Sequence, residues 1–134
     1  MNPEPVAIAE AFVRAINRQN AGEIAALMTD DHVFIDSDGA EYRGKERMRT
    51  GWEQYFRMFP DYRITIHETY SRGEVVVFLG IAEGTYAVDG ELRAENRWSV
   101  PAAWRAVVRD DGLAEWRLYV NVEPIVKILA KHQK

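Results

Sequence analysis

Apolar positions along this chain follow two rhythms, and the change between them falls near Pro60. Before it they recur every three or four residues, the spacing of one helix face. Ile8, Phe12 and Ile16, flanked by Ala9 and Val13, form the first such stripe. Pro5 suits a first helical turn, where its missing N–H is not needed. Asn20, followed by Glu23, predicts a capped start for a short second helix through Met28, which Thr29-Asp30-Asp31 ends. His32 to Asp36 reads as a short strand, and Ser37-Asp38-Gly39 as the turn after it. Gly44 precedes a third helix with an aromatic stripe of Met48, Trp52, Tyr55, Phe56 and Phe59. Gly51 lies inside that helix at a cost of about 1 kcal/mol relative to alanine; close packing or a bend would explain it.

Beyond Pro60 the period drops to two. Tyr62, Ile64, Ile66 and Tyr70 alternate with Arg63, Thr65, His67 and Thr69, which describes a strand buried on one side. After the turn Arg72-Gly73-Glu74, Val75–Tyr86 is apolar on both faces through Ile81 and reads as a central strand. Ala87 to Arg97, around Asp89-Gly90, reads as a polar loop. Trp98, Val100, Ala102, Trp104 and Ala106 then share one face of the next strand. Pro101 removes a ladder donor there and predicts a bulge or an unpaired stretch. Asp111-Gly112 is a hairpin signal leading to a strand with Trp116, Leu118, Val120 and Val122 on one face. Pro124 opens a C-terminal helix with Ile125, Ile128 and Leu129 as its apolar side. Helices first and an antiparallel run afterwards predict one α+β domain over residues 1–134, a curved antiparallel sheet wrapped around three N-terminal helices. Such a sheet leaves a pocket at its open end, so function turns on what that pocket contains.

Composition narrows the classes. The 134 residues are 47% hydrophobic, with a formal net charge of −4 and no cysteine. Lys and Arg are scattered among acids, whereas a nucleic-acid binder carries a basic face, so that partner is not expected. The missing cysteines exclude disulfides, thiol nucleophiles and thiolate metal sites. Met1-Asn2-Pro3-Glu4-Pro5 lacks the basic and apolar regions of a signal peptide. The apolar run Val75 to Ala82 is too short to span a bilayer. The expectation is a cytoplasmic protein with no membrane partner.

The element order, with Asn20 to Asp31, the Asp36, Gly39 and Gly44 spacing, Phe59-Pro60-Asp61, Gly84-Thr85-Tyr86 and Trp104-Arg105, Asp111-Gly112 and Glu115-Trp116, resembles the nuclear-transport-factor-2-like superfamily, and within it the SnoaL-like group. The resemblance implies a cone-shaped α+β barrel. It leaves the activity open, because isomerases, cyclases, epoxide hydrolases, dehydratases and binding modules share that scaffold. The general-base aspartate of ketosteroid isomerases falls on Asp36. Their oxyanion-hole tyrosine falls near Phe12 and their protonated aspartate near Ala102, neither of which can donate. One such donor is typically worth about 3–4 kcal/mol of barrier, so steroid isomerisation by that route is not expected. The acid/base aspartate of SnoaL-type cyclases also falls near Ala102, and their Gly-Thr-His reads Gly84-Thr85-Tyr86. Relatives like limonene-epoxide hydrolase need an Arg-x-Asp pair and a late aspartate. Here the Arg-x-Asp lies in the hairpin at Arg109-Asp110-Asp111, and Leu118 stands at the late position.

Asp36 is thus the candidate catalytic acid/base. It is either a carboxylate raised in pKa inside an aromatic pocket or the cap of the turn that follows it. His32 lies four residues earlier, about 13 Å along a strand, so no dyad is expected and an edge or surface position is. Glu83 is a second candidate acid, with an outward ion pair as the alternative. Glu95, Asn96 and Arg97 fall at the pocket mouth or in a solvated loop. The histidines at 32, 67 and 132 lack metal-ligand spacing, so neither metal nor cofactor is expected, and His67 reads as outward. The expected pocket lining is Phe12, Ile16, Trp52, Tyr55, Phe56, Phe59, Tyr70, Tyr86, Trp98, Ala102, Trp104, Trp116 and Leu118. Two functions fit: cofactor-independent acid/base chemistry on a small hydrophobic, cyclic or aromatic metabolite, or a non-catalytic ligand-binding or protein-interaction module using the same pocket or the open sheet face. An outer sheet face with Thr65, His67, Ser99, Ala103, Arg105, Arg117 and Tyr119 is polar yet free of lysine, which suits a homodimer interface.

Overall fold

The computed structural model describes residues 4–132. Helices α1 (Pro5–Asn17) and α2 (Ala21–Ala26) lead into β1 (Met28–Ile35) and β2 (Glu41–Arg43). Helix α3 (Lys45–Met58) is followed by β3 (Arg63–Arg72), β4 (Val75–Val88), β5 (Glu91–Arg109), β6 (Gly112–Val120) and α4 (Glu123–Ala130). The six strands form one sheet in the order β2-β1-β6-β5-β4-β3. It is curved and not closed, so the fold is α+β with the sheet bent around the N-terminal helices rather than a complete barrel. All neighbours are antiparallel except β1 and β6, which run parallel. That pair corrects the all-antiparallel expectation, and its cause is the α3 excursion, which carries the chain across the concave face before β3 begins.

Helix α1 buries the stripe its spacing predicts: Ile8, Ala9, Phe12, Val13, Ala15 and Ile16. Asn17 ends it by acting as a piece of strand. Its side-chain amide donates to the Ile64 carbonyl at 2.9 Å and accepts from the Ile64 N–H at 2.8 Å. The Asn20 side chain caps α2 by accepting from the Glu23 N–H at 3.0 Å, while the Glu23 carboxylate goes to Arg18.

Three local readings change and one holds. Helix α2 stops at Ala26, and Thr29-Asp30-Asp31 belongs to β1, whose register slips against β6 between Met28 and Val33. Residues 87–97 form no loop. Asp89 and Gly90 both take positive φ (52° and 77°), the geometry of a tight hairpin turn, and Ala87 pairs with Leu92. At the β5–β6 hairpin the left-handed pair is Asp110-Asp111, one residue earlier than expected. Gly112 is needed for room instead, since a Cβ there would lie 3.0 Å from Thr29 Cγ2. The Pro101 reading holds in its second form: there is no bulge, since it sits in register opposite Ile81, but it lies one residue beyond the last β6 partner, Ala102 with Val120, and is unpaired on that side.

The core lies where α1 meets β4–β6. Phe12 packs 5.0 Å from Trp116, and Trp104 stacks on Trp116 at 6.4 Å. His32 belongs to this core, with none of its surface exposed, which corrects the edge or surface expectation. Strand β2 covers one side of β1, so β1 is an interior strand. The His32 Nδ1–H donates to the Leu113 carbonyl at 2.7 Å. Burial pulls its pKa down, outweighing that hydrogen bond and the nearby Asp31 charge, so the ring is neutral near pH 7.

Candidate functional site

One end of the sheet is left open, and a cavity of about 860 Å³ occupies it. This is the size range of small-molecule sites. Helix α3 forms one wall with Trp52, Tyr55 and Phe59, and the inner sheet face forms the other with Trp98, Trp104, Trp116 and Leu118. The β1–β2 turn and α4 border the mouth. The walls hold together by edge-to-face contacts: Tyr55 on Tyr62 at 5.0 Å and 88°, and Phe59 on Trp98 at 5.4 Å and 86°. Such pairs contribute about 0.5–1.5 kcal/mol beyond area burial.

Asp36 lines this cavity and is half-buried. The turn after it is held by main-chain bonds, Asp36 N–H to the Ala40 carbonyl and Gly39 N–H to the Asp36 carbonyl, both 2.9 Å. The Asp38 carboxylate closes that turn by accepting from the Ala40 N–H at 2.9 Å. The Asp36 carboxylate accepts from the Ser37 N–H at 2.7 Å through Oδ1 alone. Asp36 is therefore both a turn residue and a cavity carboxylate, not one or the other. Burial, and secondarily the Asp36 charge, raise the Tyr55 pKa. Burial and then Tyr55 raise that of Tyr62. Both phenols stay protonated at any physiological pH, and both line the cavity with Asp36. The arrangement puts the Asp36 carboxylate near the neutral Tyr55 O–H, with the Tyr62 O–H in the same largely apolar chamber. A third donor, the buried Trp98 indole N–H, has no acceptor among the described residues.

Several residues expected in the lining stand elsewhere. Phe12 and Ile16 are fully buried under α1, whose stripe fills the other half of the concave face. Ala102 is buried in that core and outside the cavity wall. Phe56, one helical step round from Tyr55, packs at a tilt on Trp52 at 5.5 Å and borders a separate shallow cleft with Arg18 and Gln19. Tyr70 is 57% exposed, because β3 slips register between Ile66 and Glu68 and then runs past the helices that cover its start. Tyr86 lies behind the wall, packed on Phe59 and His132.

Other candidates resolve simply. Glu83 forms an ion pair with Arg97 at 3.0 Å across β4 and β5, and His67 is exposed. Asn96 is buried and meets the His132 ring at 3.1 Å. Glu95 is exposed on β5. No three acid or histidine side chains cluster to hold a metal among the described residues. Sequence reasoning missed Phe34, Tyr42, Arg47, Tyr62 and the α4 residues Ile125, Val126 and Leu129 as lining. The apolar side of α4 and the aromatic pair Phe34 and Tyr42 were the available signals.

This fold and this cavity place the chain in a family: residues 9–116 match the SnoaL-like domain, and the protein belongs to that family. Comparison with curated proteins finds no match. Among solved structures, a SnoaL-like polyketide cyclase candidate from Shewanella denitrificans OS-217 superposes with a TM-score of 0.81 at 14% identity, over 97% of this chain and 99% of the other. A hypothetical protein of ketosteroid isomerase-like fold from Catenulispora acidiphila, in complex with trimethylamine, gives 0.77 at 20% identity, over 95% and 92%. An LEH-like epoxide hydrolase from M. tuberculosis gives 0.77 at 20% identity, over 95% and 90%. At these identities the likeness is one of fold.

Proposed function

We propose that this protein acts on a small hydrophobic, cyclic or aromatic metabolite by acid/base chemistry at Asp36, without a cofactor. The observation that carries this reading is the shared cavity of Asp36, Tyr55 and Tyr62. The carboxylate is within electrostatic reach of the Tyr55 hydroxyl, and aromatic side chains line the cavity around both. A carboxylate in such a setting can take a proton from a bound ligand while a neutral phenol donates to the ligand oxygen that gains charge. These donors come from α3 and the residue just before β3, which offsets the missing polar groups at Phe12 and Ala102. Incubating the protein with a panel of cyclic ketones in D2O, and following exchange of their acidic C–H positions by NMR, tests the reading. Exchange is expected above the buffer rate and lost in Asp36→Asn. Exchange that survives this substitution would sink the proposal.

A second reading, non-catalytic binding in the same pocket, is supported by the Ser37 N–H that already occupies Asp36 Oδ1. In that case Asp36→Asn leaves ligand binding unchanged and no panel member exchanges. We also propose a homodimer through the outer sheet face, where Tyr119 is exposed beneath the Arg117 guanidinium. Sedimentation at tens of micromolar, a concentration set by ordinary interface affinities, would return a 15.4 kDa monomer if this is wrong.

A further inference from the structure

Gly51 is the one feature of α3 that packing does not explain. Sequence suggested a close contact or a bend, yet the helix runs unbroken from Lys45 to Met58. A Cβ built at Gly51 would touch only Met48 Cε, at 3.8 Å, an ordinary contact. Its φ is not positive, so the backbone does not demand glycine either. The position gives up helix propensity and, facing the cavity, leaves open room where any other residue would project. Residues on either side of that gap, one turn away along the same face, are Arg47 and Tyr55, and both line the cavity too.

Arg47 is the charged group of this lining with its hydrogen-bonding capacity unspent. On the same helix Lys45 pairs with Asp30 and Arg49 with Glu53. Arg47 pairs with no carboxylate among the described residues; its guanidinium lies over the Tyr42 ring, 5.2 Å from the centroid. The two acids at the mouth each accept a turn N–H, Asp36 from Ser37 and Asp38 from Ala40. A planar fork of N–H donors held on an aromatic face, beside an apolar chamber, is the arrangement that receives a carboxylate or similar oxyanion.

We propose that the ligand is an anionic amphiphile, an aromatic or alicyclic carboxylate or its equivalent. Its ring crosses α3 in the gap at Gly51, and its charged end rests on Arg47. This deepens the function proposed above and rests on the same cavity. The Asp36 carboxylate then faces the ring rather than the ligand's own charge, which leaves it free for acid/base work.

Calorimetric titration of three probes of one shape separates the charge classes: 2-naphthoate, 2-naphthalenemethanol and 2-naphthylmethylammonium. Naphthoate is expected to bind roughly tenfold to a hundredfold tighter than the neutral alcohol, the usual strength of a charge-assisted hydrogen bond, and the ammonium weakest. Arg47→Gln should erase the preference for naphthoate while leaving the alcohol unchanged. Gly51→Leu should weaken all three at least tenfold while its melting temperature holds. Gly51→Ala should raise the melting temperature by roughly 4 °C, the worth of helix propensity at this chain length. Tightest binding of the ammonium, or a naphthoate preference that persists in Arg47→Gln, overturns the anionic assignment while the hydrophobic pocket stands. Undiminished binding in Gly51→Leu overturns the gap. Binding of none of the three removes the pocket reading as well.

Discussion

The two ends of the concave sheet face are built from the same kinds of residue and do opposite things. At the closed end α1 lays Phe12 and Ile16 onto the sheet, and both are fully buried, as are Ile24, Phe78 and Leu113. At the open end α3 brings Trp52, Tyr55 and Phe59 to the same sheet, and about 860 Å³ stays empty. Trp116 touches both, packing on Phe12 at 5.0 Å and also lining the cavity. The difference lies in the helices. Helix α1 presents a continuous apolar stripe, while α3 interrupts its aromatic stripe with Gly51 and flanks it with charge. A core maximises contact; a site holds unsatisfied donors and room in reserve.

The sharpest way to break the comparison is at its closed end. Phe12→Ala should cost about 3–5 kcal/mol, the range for a buried phenylalanine, read as a lowered denaturant midpoint. Because α1 and not α3 carries the loss, the protein that remains folded should still bind hydrophobic probes. A stability loss below about 1 kcal/mol, outside the range for such a truncation, would mean that this end too is a loosely filled pocket.

Asn17 marks the seam between the halves. Its amide takes both main-chain groups of Ile64, and Gln19 next to it reaches the Tyr62 carbonyl at 3.3 Å. Asn17→Ala leaves a donor and an acceptor without their partner and should cost about 2 kcal/mol. Asn17→Asp keeps the acceptor, loses the donor, and should fall between. Urea melts of the three proteins order them.

pH sharpens the contrast, because each end holds a buried titratable group of opposite sense. At the closed end the folded-state pKa of His32 is depressed below 6.5. As pH falls below that value the unfolded chain takes up a proton that the folded chain refuses, so stability is lost on the acid side. At the open end Tyr55 and Tyr62 have pKa values raised above 10.0. Above that pH the unfolded chain releases protons that the folded chain keeps, so stability is lost on the alkaline side. Each single group contributes a slope of at most about 1.4 kcal/mol per pH unit. Denaturant midpoints at pH 5, 7.5 and 10.5 should show both limbs, with the acid limb reduced in His32→Gln and the alkaline limb reduced in Tyr55→Phe. An acid limb of unchanged slope in His32→Gln would count against a neutral buried imidazole.

How much of this was legible in the chain differs between the halves as well. The α1 stripe and the strand alternation were readable because local periodicity decides them. So was the aromatic wall of Trp52, Tyr55, Phe59, Trp98 and Trp104, since inward positions on neighbouring elements were already in phase. What failed depended on partners distant in sequence. His32 looked like an edge residue until β2 covered one side of β1 and β6 the other. The polar run 87–97 concealed a hairpin, because both of its faces alternate weakly and only Asp89-Gly90 gave it away. Tyr70 fell out of the pocket through a register slip that no periodicity predicts. Arg47, Tyr62 and α4 were missed because a cavity wall assembled from seven elements has no sequence signature of its own.

The smallest expected stability effect concerns Asp36, the residue on which the proposed function turns. Asp36 accepts one turn N–H through one oxygen, and asparagine can keep that bond. Asp36→Asn should therefore leave the melting temperature unchanged or slightly raised, since it also removes a half-buried charge that no basic side chain pairs with among the described residues. Asp36→Ala loses the bond and should cost about 1 kcal/mol at most, the usual worth of a side-chain cap. The turn itself survives in both variants, because Asp38 and the main chain close it. If Asp36 is the pocket acid, both variants lose turnover together although only one loses stability. If it is a turn residue alone, activity follows stability, and asparagine behaves as wild type in both. Melting curves paired with the exchange assay on the same two proteins decide between them, and an active Asp36→Asn would move the search for an acceptor to another wall of the cavity.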